Sequence, residues 1–446
     1  MAKKKLTIEE KLQAALVPAE EQPYKVPENW CWVKLGAVIT ASKEKQDVFD
    51  SETKYVGLEH IEKDTGNISF AVADGVKSTK SVFKCGDILY GKLRPYLNKH
   101  GIVDFDGVCS TDILVFNAIE GDNRLYDFYF SLPHFIEYAV SNSKGINLPR
   151  VSEKVILEIP FPMSPQDEQS RIVARIESLF AKLDEAKEKI QEVLDGADLR
   201  RAAILHQAFT GKLTEKWRRE NSVGDESWEF TNLGNICHIN PKKIDTTNLD
   251  DNMEVSFIPM ADVSDISGEV IGNQTRTLGE VKKGFTNFNE GDVVFAKITP
   301  CMENGKSAII GKLKNNVGYG TTEFYVLRPK ETLYNRYVYH LVRSKFFRDK
   351  AKSNMTGAVG QQRVPKKFMQ EYEINLPSMQ EQKEIVHLLD NLLSREQSTV
   401  TACEEALTTI DTLKKSILAR AFRGELGTND PADPSAKELL REILSA

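Results

Sequence analysis

QDEQSRIVARIESLFAKLDEAKEKIQEVLDGADLRRAAILHQAF, residues 166–209, is the stretch from which the architecture is read. Its apolar positions are Ile172, Ile176, Leu179, Leu183, Ala186, Ile190, Val193 and Ala197. They step by four and three without a break, which is the seam of a left-handed coiled coil. No Pro or Gly interrupts the pattern before Gly196. About 40 helical residues at about 1.5 Å each span on the order of 60 Å, too long to hide in one small core. Such a helix needs a partner, and the chain supplies one over residues 380–422.

The two helices are copies. Glu168-Gln169-Ser170-Arg171-Ile172-Val173 opens the first and Glu381-Gln382-Lys383-Glu384-Ile385-Val386 the second. Ile204-Leu205-His206-Gln207-Ala208-Phe209-Thr210-Gly211 closes the first and Ile417-Leu418-Ala419-Arg420-Ala421-Phe422-Arg423-Gly424 the second, at the same offset. The second seam is interrupted by Glu396 and Thr399, a polar patch that costs stability but can fix register. The repeat extends outside the helices. Trp30-Cys31-Trp32-Val33-Lys34-Leu35-Gly36 matches Trp228-Glu229-Phe230-Thr231-Asn232-Leu233-Gly234. Gly86-Asp87-Ile88-Leu89-Tyr90 matches Gly291-Asp292-Val293-Val294-Phe295. The chain therefore reads domain, helix, domain, helix, a tandem duplication of long period.

The expected division is a charged arm over 1–23, a first domain over 24–163, a central spacer helix over 164–215, a second domain over 216–377, a second spacer helix over 378–427, and a linker with a short helix over 428–446. The arm has helical periodicity at Leu6, Leu12, Ala15 and Leu16, and Lys5-Leu6-Thr7 echoes Lys212-Leu213-Thr214. Both domains read as mixed α/β. Val56, Leu58 and Ile61 mark one strand, with others at 87–90 and 113–116; their counterparts are 257–260, 292–296 and 323–327. A helix over 125–140, broken near Pro133, matches one over 334–347. Ile159-Pro160-Phe161-Pro162 and Ile374-Asn375-Leu376-Pro377 are exit strands. Ser435-Ala436-Lys437-Glu438 fits a capping box before a short amphipathic helix.

Length of 446 residues, 41% hydrophobic and 28% charged content place the chain among globular proteins. No apolar run reaches the length of a membrane span, and Met1-Ala2-Lys3-Lys4-Lys5 lacks the apolar core of a signal peptide. Six cysteines without Cys-x-x-Cys spacing read as reduced thiols in a cytoplasmic protein. Recognisable catalytic patterns are missing. There is no Pro-Pro dipeptide for a base-methylating loop and no Pro-Asp for a nuclease of the Pro-Asp…Glu-x-Lys type. Gly305-Lys306-Ser307 is half a phosphate cradle, with Pro300 where its first Gly belongs. The histidines form no HExxH pair. No catalytic, cofactor-binding or metal-ligating residue is assigned.

What remain are loops suited to a polyanion. Lys92, Arg94, Tyr96 and Lys99 follow one strand; Lys297, Thr299, Asn304 and Lys306 follow its counterpart. A second pair of loops carries Lys144, Asn147 and Arg150, and Gln361, Gln362 and Arg363. Gln, Asn and Arg read base edges, whereas Lys and Ser/Thr hold phosphates. Any one of these loops could be an ordinary solvated turn, but both kinds occur twice at matching positions.

The helix openings Glu168-Gln169…Ile172-Val173 and Glu381-Gln382…Ile385-Val386, the closings at Ala208-Phe209-Thr210-Gly211-Lys212-Leu213 and Ala421-Phe422-Arg423-Gly424-Glu425-Leu426, and exit strands at Pro162 and Pro377 together resemble the specificity subunit of Type I restriction-modification enzymes. The likeness runs over nearly the whole chain; the charged arm before Trp30 is a departure. The resemblance implies an α+β fold of two tandem-duplicated mixed α/β target-recognition domains, separated by two long helices forming an antiparallel coiled coil with pseudo-twofold symmetry. It implies that each domain reads one half of a bipartite site on double-stranded DNA while the helices set the spacing. It also implies two methyltransferase subunits docked on this chain, with restriction subunits added for cleavage. S-adenosylmethionine, ATP and Mg would belong to those partners, not to this chain, which would do no catalysis. The net charge of -6 is acidic for a DNA binder, but charge can be segregated and partners can supply part of the phosphate clamp. A stand-alone DNA-binding or regulatory homologue, and a coiled-coil scaffold without DNA, are the alternatives.

Overall fold

The computed structural model describes residues 7–64, 66–73, 78–224, 227–272, 274–358 and 360–445. Lys5 and Leu6 of the echo Lys5-Leu6-Thr7, and Val359 in the turn before Gln361, lie outside the described residues. The chain divides into two units: residues 1–190 with 405–446, and residues 191–404. Among the described residues no helix is long and apolar enough to cross a membrane.

In the first unit, strand Cys31–Lys34 pairs antiparallel with exit strand Pro160–Met163, bringing the start and end of the domain together. A four-stranded antiparallel sheet runs in the order Ile39–Ala41, Ile113–Ala118, Ile88–Gly91, His100–Ile102. A second sheet orders Lys45–Gln46, Lys80–Phe83, Gly107–Cys109, Lys54–Val56 and Ala71–Val72, with one parallel pair between Lys54–Val56 and Gly107–Cys109. Helices Asn123–Phe130 and Pro133–Ser141 cover the first sheet, with Pro133 starting the second of them. Their aromatic side chains form the core: Phe130 stacks on Phe135 at 4.7 Å, and Tyr90 meets both edge-on.

The second unit repeats this plan with one strand fewer in its second sheet, which has no counterpart of Lys45–Gln46 among the described residues. Glu229–Asn232 pairs with Glu373–Leu376. One sheet orders Cys237–Ile239, Phe324–Pro329, Val293–Ala296 and Ser307–Ile309; the other orders Gln274–Thr277, Glu254–Ile258, Gly318–Gly320 and Thr286–Phe288. The single parallel pair, Glu254–Ile258 with Gly318–Gly320, recurs in the same place. Two expectations are corrected. The helix expected over 334–347 is two helices, Asn335–Arg343 and Lys345–Ser353, because Ser344 is extended and its hydroxyl accepts from Phe347 N, restarting the helix. The strands expected to run through Leu58 and Met260 stop at Val56 and Ile258, where 3-10 turns Leu58–His60 and Met260–Asp262 follow.

The first spacer is likewise two helical segments, Gln166–Asp195 and Ala197–Phe209, and the second is the single helix Met379–Ala421. Gly196 keeps helical dihedrals, and hydrogen bonds Gly196 N to Glu192 O and Arg200 N to Gly196 O carry the spiral through it. In the first unit Lys414 pairs with Asp184, while Ile172 and Ile176 share a core with Leu418 and Phe422. In the second unit Arg200 meets Glu396 and Arg201 meets Gln397, while Ala208 shares a core with Ile385 and Leu389. Within each unit rising numbers on one helix meet falling numbers on the other, so the pairing is antiparallel. The polar interruption expected at Glu396 has its reason: Arg200 Nε and Nη2 reach its carboxylate at 3.1 and 2.8 Å. A Cβ on Gly196 would come within 2.6 Å of Arg200 Nη1, so glycine leaves room for that guanidinium.

The Glu-Gln pair at each helix opening is buried. Glu168 accepts from Trp30 Nε1 at 2.7 Å, Asn429 Nδ2 at 2.8 Å and the Thr428 hydroxyl at 3.3 Å. Glu381 accepts from the Thr214 hydroxyl at 2.7 Å and Arg218 Nη1 at 2.8 Å. Gln382 donates to Thr332 O and Pro377 O and accepts from Tyr334 N. Each carboxylate thus joins a helix start to the segment that follows the other helix. In the first unit, helix Ile8–Ala15 of the arm and helix Ala436–Ser445 enter the same core through Leu12, Ala15 and Leu440. Lys11 Nζ also donates to Leu444 O.

Glu381 is fully buried and Arg218 nearly so. Glu381→Ala removes from the buried core the carboxylate that accepts from Arg218 Nη1 and the Thr214 hydroxyl, and breaking a buried pair costs about 3–5 kcal/mol. Urea unfolding of the second unit is expected to shift accordingly; a loss below about 1 kcal/mol, the range of a surface pair, would remove this role.

Candidate nucleic-acid interface

Each domain brings its two candidate loops together by the same backbone bonds. In the first, Lys92 N donates to Asp112 O at 2.8 Å, Val151 N to Lys92 O at 3.1 Å, and Arg94 N to Pro149 O at 2.7 Å. In the second, Lys297 N donates to Glu323 O at 2.9 Å, Val364 N to Lys297 O at 2.9 Å, and Thr299 N to Gln362 O at 3.0 Å. Bridges Leu93 to Arg150 and Ile298 to Arg363 lie at the crossing. The sequence repeat is therefore a structural one at this site.

The arginines are held alike. Arg150 Nε donates to Asp112 Oδ1 at 3.1 Å, and Arg363 forms a two-pronged bond to Glu323 through Nε at 2.9 Å and Nη2 at 2.8 Å. The Arg363 hydrogen bonds hold the Glu323 carboxyl below the usual carboxylate range. Asp112 and Glu323 were not among the expected site residues. Their signal was present: Thr111-Asp112-Ile113 and Thr322-Glu323-Phe324 precede matching strands.

The other expected residues differ in what they can offer. Lys92, Arg94 and Lys144 take part in no ion pair among the described residues, and Arg94 and Lys144 are exposed. Tyr96 is half exposed on the 3-10 turn Pro95–Leu97, which left-handed Arg94 and Asn98 flank. Asn147, Gln361 and Arg363 are exposed, and Gln362 and Thr299 are half-buried. Lys297 stands 5.3 Å from the Tyr325 ring centre. Lys99 and Lys306 do not extend from the surface. Lys99 Nζ donates to Leu58 O at 2.8 Å and Lys306 Nζ to Met260 O at 3.1 Å, so each braces the 3-10 turn of its own domain. Asn304 lines a separate groove of about 1400 Å³ with Arg343, Arg348, Glu303 and Asp390. Behind the loop of the second unit, Arg343 donates to Gly305 O at 3.1 Å and Arg348 to Glu303 O. Burial, with Arg343 nearby, lowers the Arg348 pKa. Mixed charge suits that groove poorly to a polyanion. The loop faces offer hydrogen-bonding amides, cations and an aromatic ring, the groups that contact phosphates and base edges.

A family model described as the Type I restriction modification DNA specificity domain matches residues 27–195 and again residues 225–405. The EcoEI specificity subunit of a Type I restriction enzyme from Escherichia coli is 36% identical over 260 residues, covering 49% of this chain and 43% of that subunit. The chain thus spans less than half of that relative's length in the match. A crystal structure of the HsdS subunit from Thermoanaerobacter tengcongensis matches with a TM-score of 0.64 at 23% identity, covering 91% of this chain and 99% of that one. A chain from a structure on complex assembly and conformational transition of the type I R-M system matches with a TM-score of 0.67 at 22% identity, covering 90% and 100%. The two structural likenesses bear on the fold, which is α+β with two tandem mixed α/β domains and long linking helices.

If the carboxylates fix the arginine loops, Asp112→Ala and Glu323→Ala are expected to speed amide exchange at 144–150 and 356–363. Global stability would shift by no more than about 1 kcal/mol, since these pairs are partly exposed. Hydrogen exchange read by mass spectrometry decides; unchanged exchange in both loops would refute this.

Proposed function

The chain belongs to the Type I restriction modification DNA specificity family, and from that membership we propose that it is the sequence-reading subunit of a Type I restriction-modification complex. In this reading, residues 24–163 and 216–377 each recognise one half of a bipartite site on double-stranded DNA. The spacer helices over 164–215 and 378–427 set the distance between the halves. Two methyltransferase subunits dock on this chain, and restriction subunits join them. S-adenosylmethionine, ATP and Mg are held by those partners, the chain itself carries out no catalysis, and the complex works in the cytoplasm.

The observation that carries the reading is the duplicated loop pair. The same backbone bonds build it in both domains, and its exposed side chains are the kinds that bind phosphates and bases. A chain with two equivalent readers suits a split site, as a twofold dimer suits two half-sites.

Co-expression with a methyltransferase subunit, followed by single-molecule mapping of methylated DNA, tests the reading directly. A split motif with a constant gap is expected. A stable complex that methylates nothing would overturn it. A second outcome concerns the phosphate contacts. Replacing Lys92, Arg94 and Lys144 together by Ala is expected to flatten the salt dependence of DNA binding by the complex by about 2–3 in slope, about 0.9 per lost phosphate contact. An unchanged slope would remove these three from the interface.

A further inference from the structure

The turn over residues 144–150 has two side chains that the contacts described so far leave unused. Ile146 is fully exposed and Leu148 is 45% exposed. Exposed single apolar residues are common and need no explanation. This pair is unusual in being held out by a closed frame. Lys144 N donates to Arg150 O at 2.9 Å and Arg150 N to Lys144 O at 2.8 Å, which shuts the base of the turn. Arg94 N donates to Pro149 O at 2.7 Å and ties the turn to the neighbouring loop. Gly145 has φ +107°, and a Cβ there would lie 2.9 Å from Leu148 O, so glycine is required for the turn to close. The exposed pair is thus presented by a preorganised tip.

Its surroundings say what it meets. Among the described residues Lys92, Arg94 and Lys144, on the same two loops, have no carboxylate partner, and the half-exposed ring of Tyr96 stands on the adjoining turn. A protein partner's interface core is depleted in lysine. Apolar side chains on loops that also carry cations suit a duplex instead, where Ile or Leu can enter between base pairs while the cations hold phosphates. The matching turn of the second unit, closed by the Thr356 and Arg363 bonds at 3.0 and 2.8 Å, ends in Gln361 and Gln362 before its arginine.

We propose that Ile146 and Leu148 form an apolar wedge that unstacks one base step within the half-site read by residues 24–163. The inference rests on the DNA-reading role proposed above and adds a recognition mode to it. The first domain selects sequence partly by how readily a step opens, which favours flexible pyrimidine–purine steps.

The test uses the full complex with its methyltransferase subunits and duplexes bearing the mapped site. 2-Aminopurine is placed at each position of each half-site in turn. Fluorescence is expected to rise at one step of the first domain's half-site. The rise should vanish for Ile146→Ser/Leu148→Ser, whose affinity falls about tenfold, the order of one lost base-pair contact. A mismatch at that step should tighten binding by the unaltered complex and leave the double variant unchanged. Because both side chains are exposed, Tm should hold; Ile146→Ser alone gives a milder second variant with the same expected direction.

Specific binding with no bright position, or brightening retained in the double variant, overturns the wedge while the DNA-reading role stands. Loss of methyltransferase co-purification in the variant overturns it in favour of a protein contact. Failure of the unaltered complex to bind the mapped site specifically overturns both.

Discussion

A carboxylate taken out of water must be given partners, and two such carboxylates organise this chain. Glu168 and Glu381 are both fully buried at the starts of long helices. Each accepts from groups in distant parts of its unit: Trp30, Thr428 and Asn429 for the first, Thr214 and Arg218 for the second. The partners differ in charge, since a neutral indole and amide serve one site and a guanidinium the other. In the second unit Trp228 Nε1 and Glu381 Oε2, the counterparts of a bonded pair in the first, have no hydrogen-bond partner among the described residues. A duplicated scaffold has thus kept the constraint and changed how it is met. Burying a charge is costly enough that any chain retaining the Glu must also retain donors on the following segment.

The helices and the duplication were legible because they obey strong periodic rules. Ile172, Ile176, Leu183 and Ile190 keep the four-three step whatever they pack against, and the paired openings at Glu168 and Glu381 need only counting. In the second sheet of each unit only the strands ending at Val56 and Ile258 were legible. In the first unit the others include Lys45–Gln46 and Ala71–Val72, two residues each, too short to show alternation. Ser344 was hidden for a different reason: a serine inside an apolar pattern reads as a surface position unless its hydroxyl is known to cap. Glu396 could be seen as a misfit, but its partner Arg200 lies 196 residues away in sequence.

The candidate interface divides in the same manner. Loop pairs were recognisable from repetition, and the backbone bonds of Lys92 and Lys297 bear that out as geometry. Which side chains face outward was not recognisable. Lys99 and Lys306 bind main-chain oxygens of Leu58 and Met260, and a carbonyl acceptor leaves no trace in side-chain pattern. Asp112 and Glu323 show the converse, since acidic residues are easily passed over in a search for polyanion contacts. Each fixes an arginine, and a fixed arginine loses less freedom on meeting a phosphate or a base.

The strand pair at the base of each domain has a consequence for how such proteins change. Cys31–Lys34 lies against Pro160–Met163, with Lys34 opposite Pro160, so the chain leaves the domain where it entered. Glu229–Asn232 and Glu373–Leu376 do the same in the second unit. Everything between the two strands is a closed excursion hung from four residue pairs. Recombination within these strands can exchange one excursion for another and leave the helix phase untouched. The ends of the exchanged piece are already adjacent, so a new domain needs no new linker. Domain and spacer are encoded in separable parts of one polypeptide, and the seam between them is a ladder four residues long.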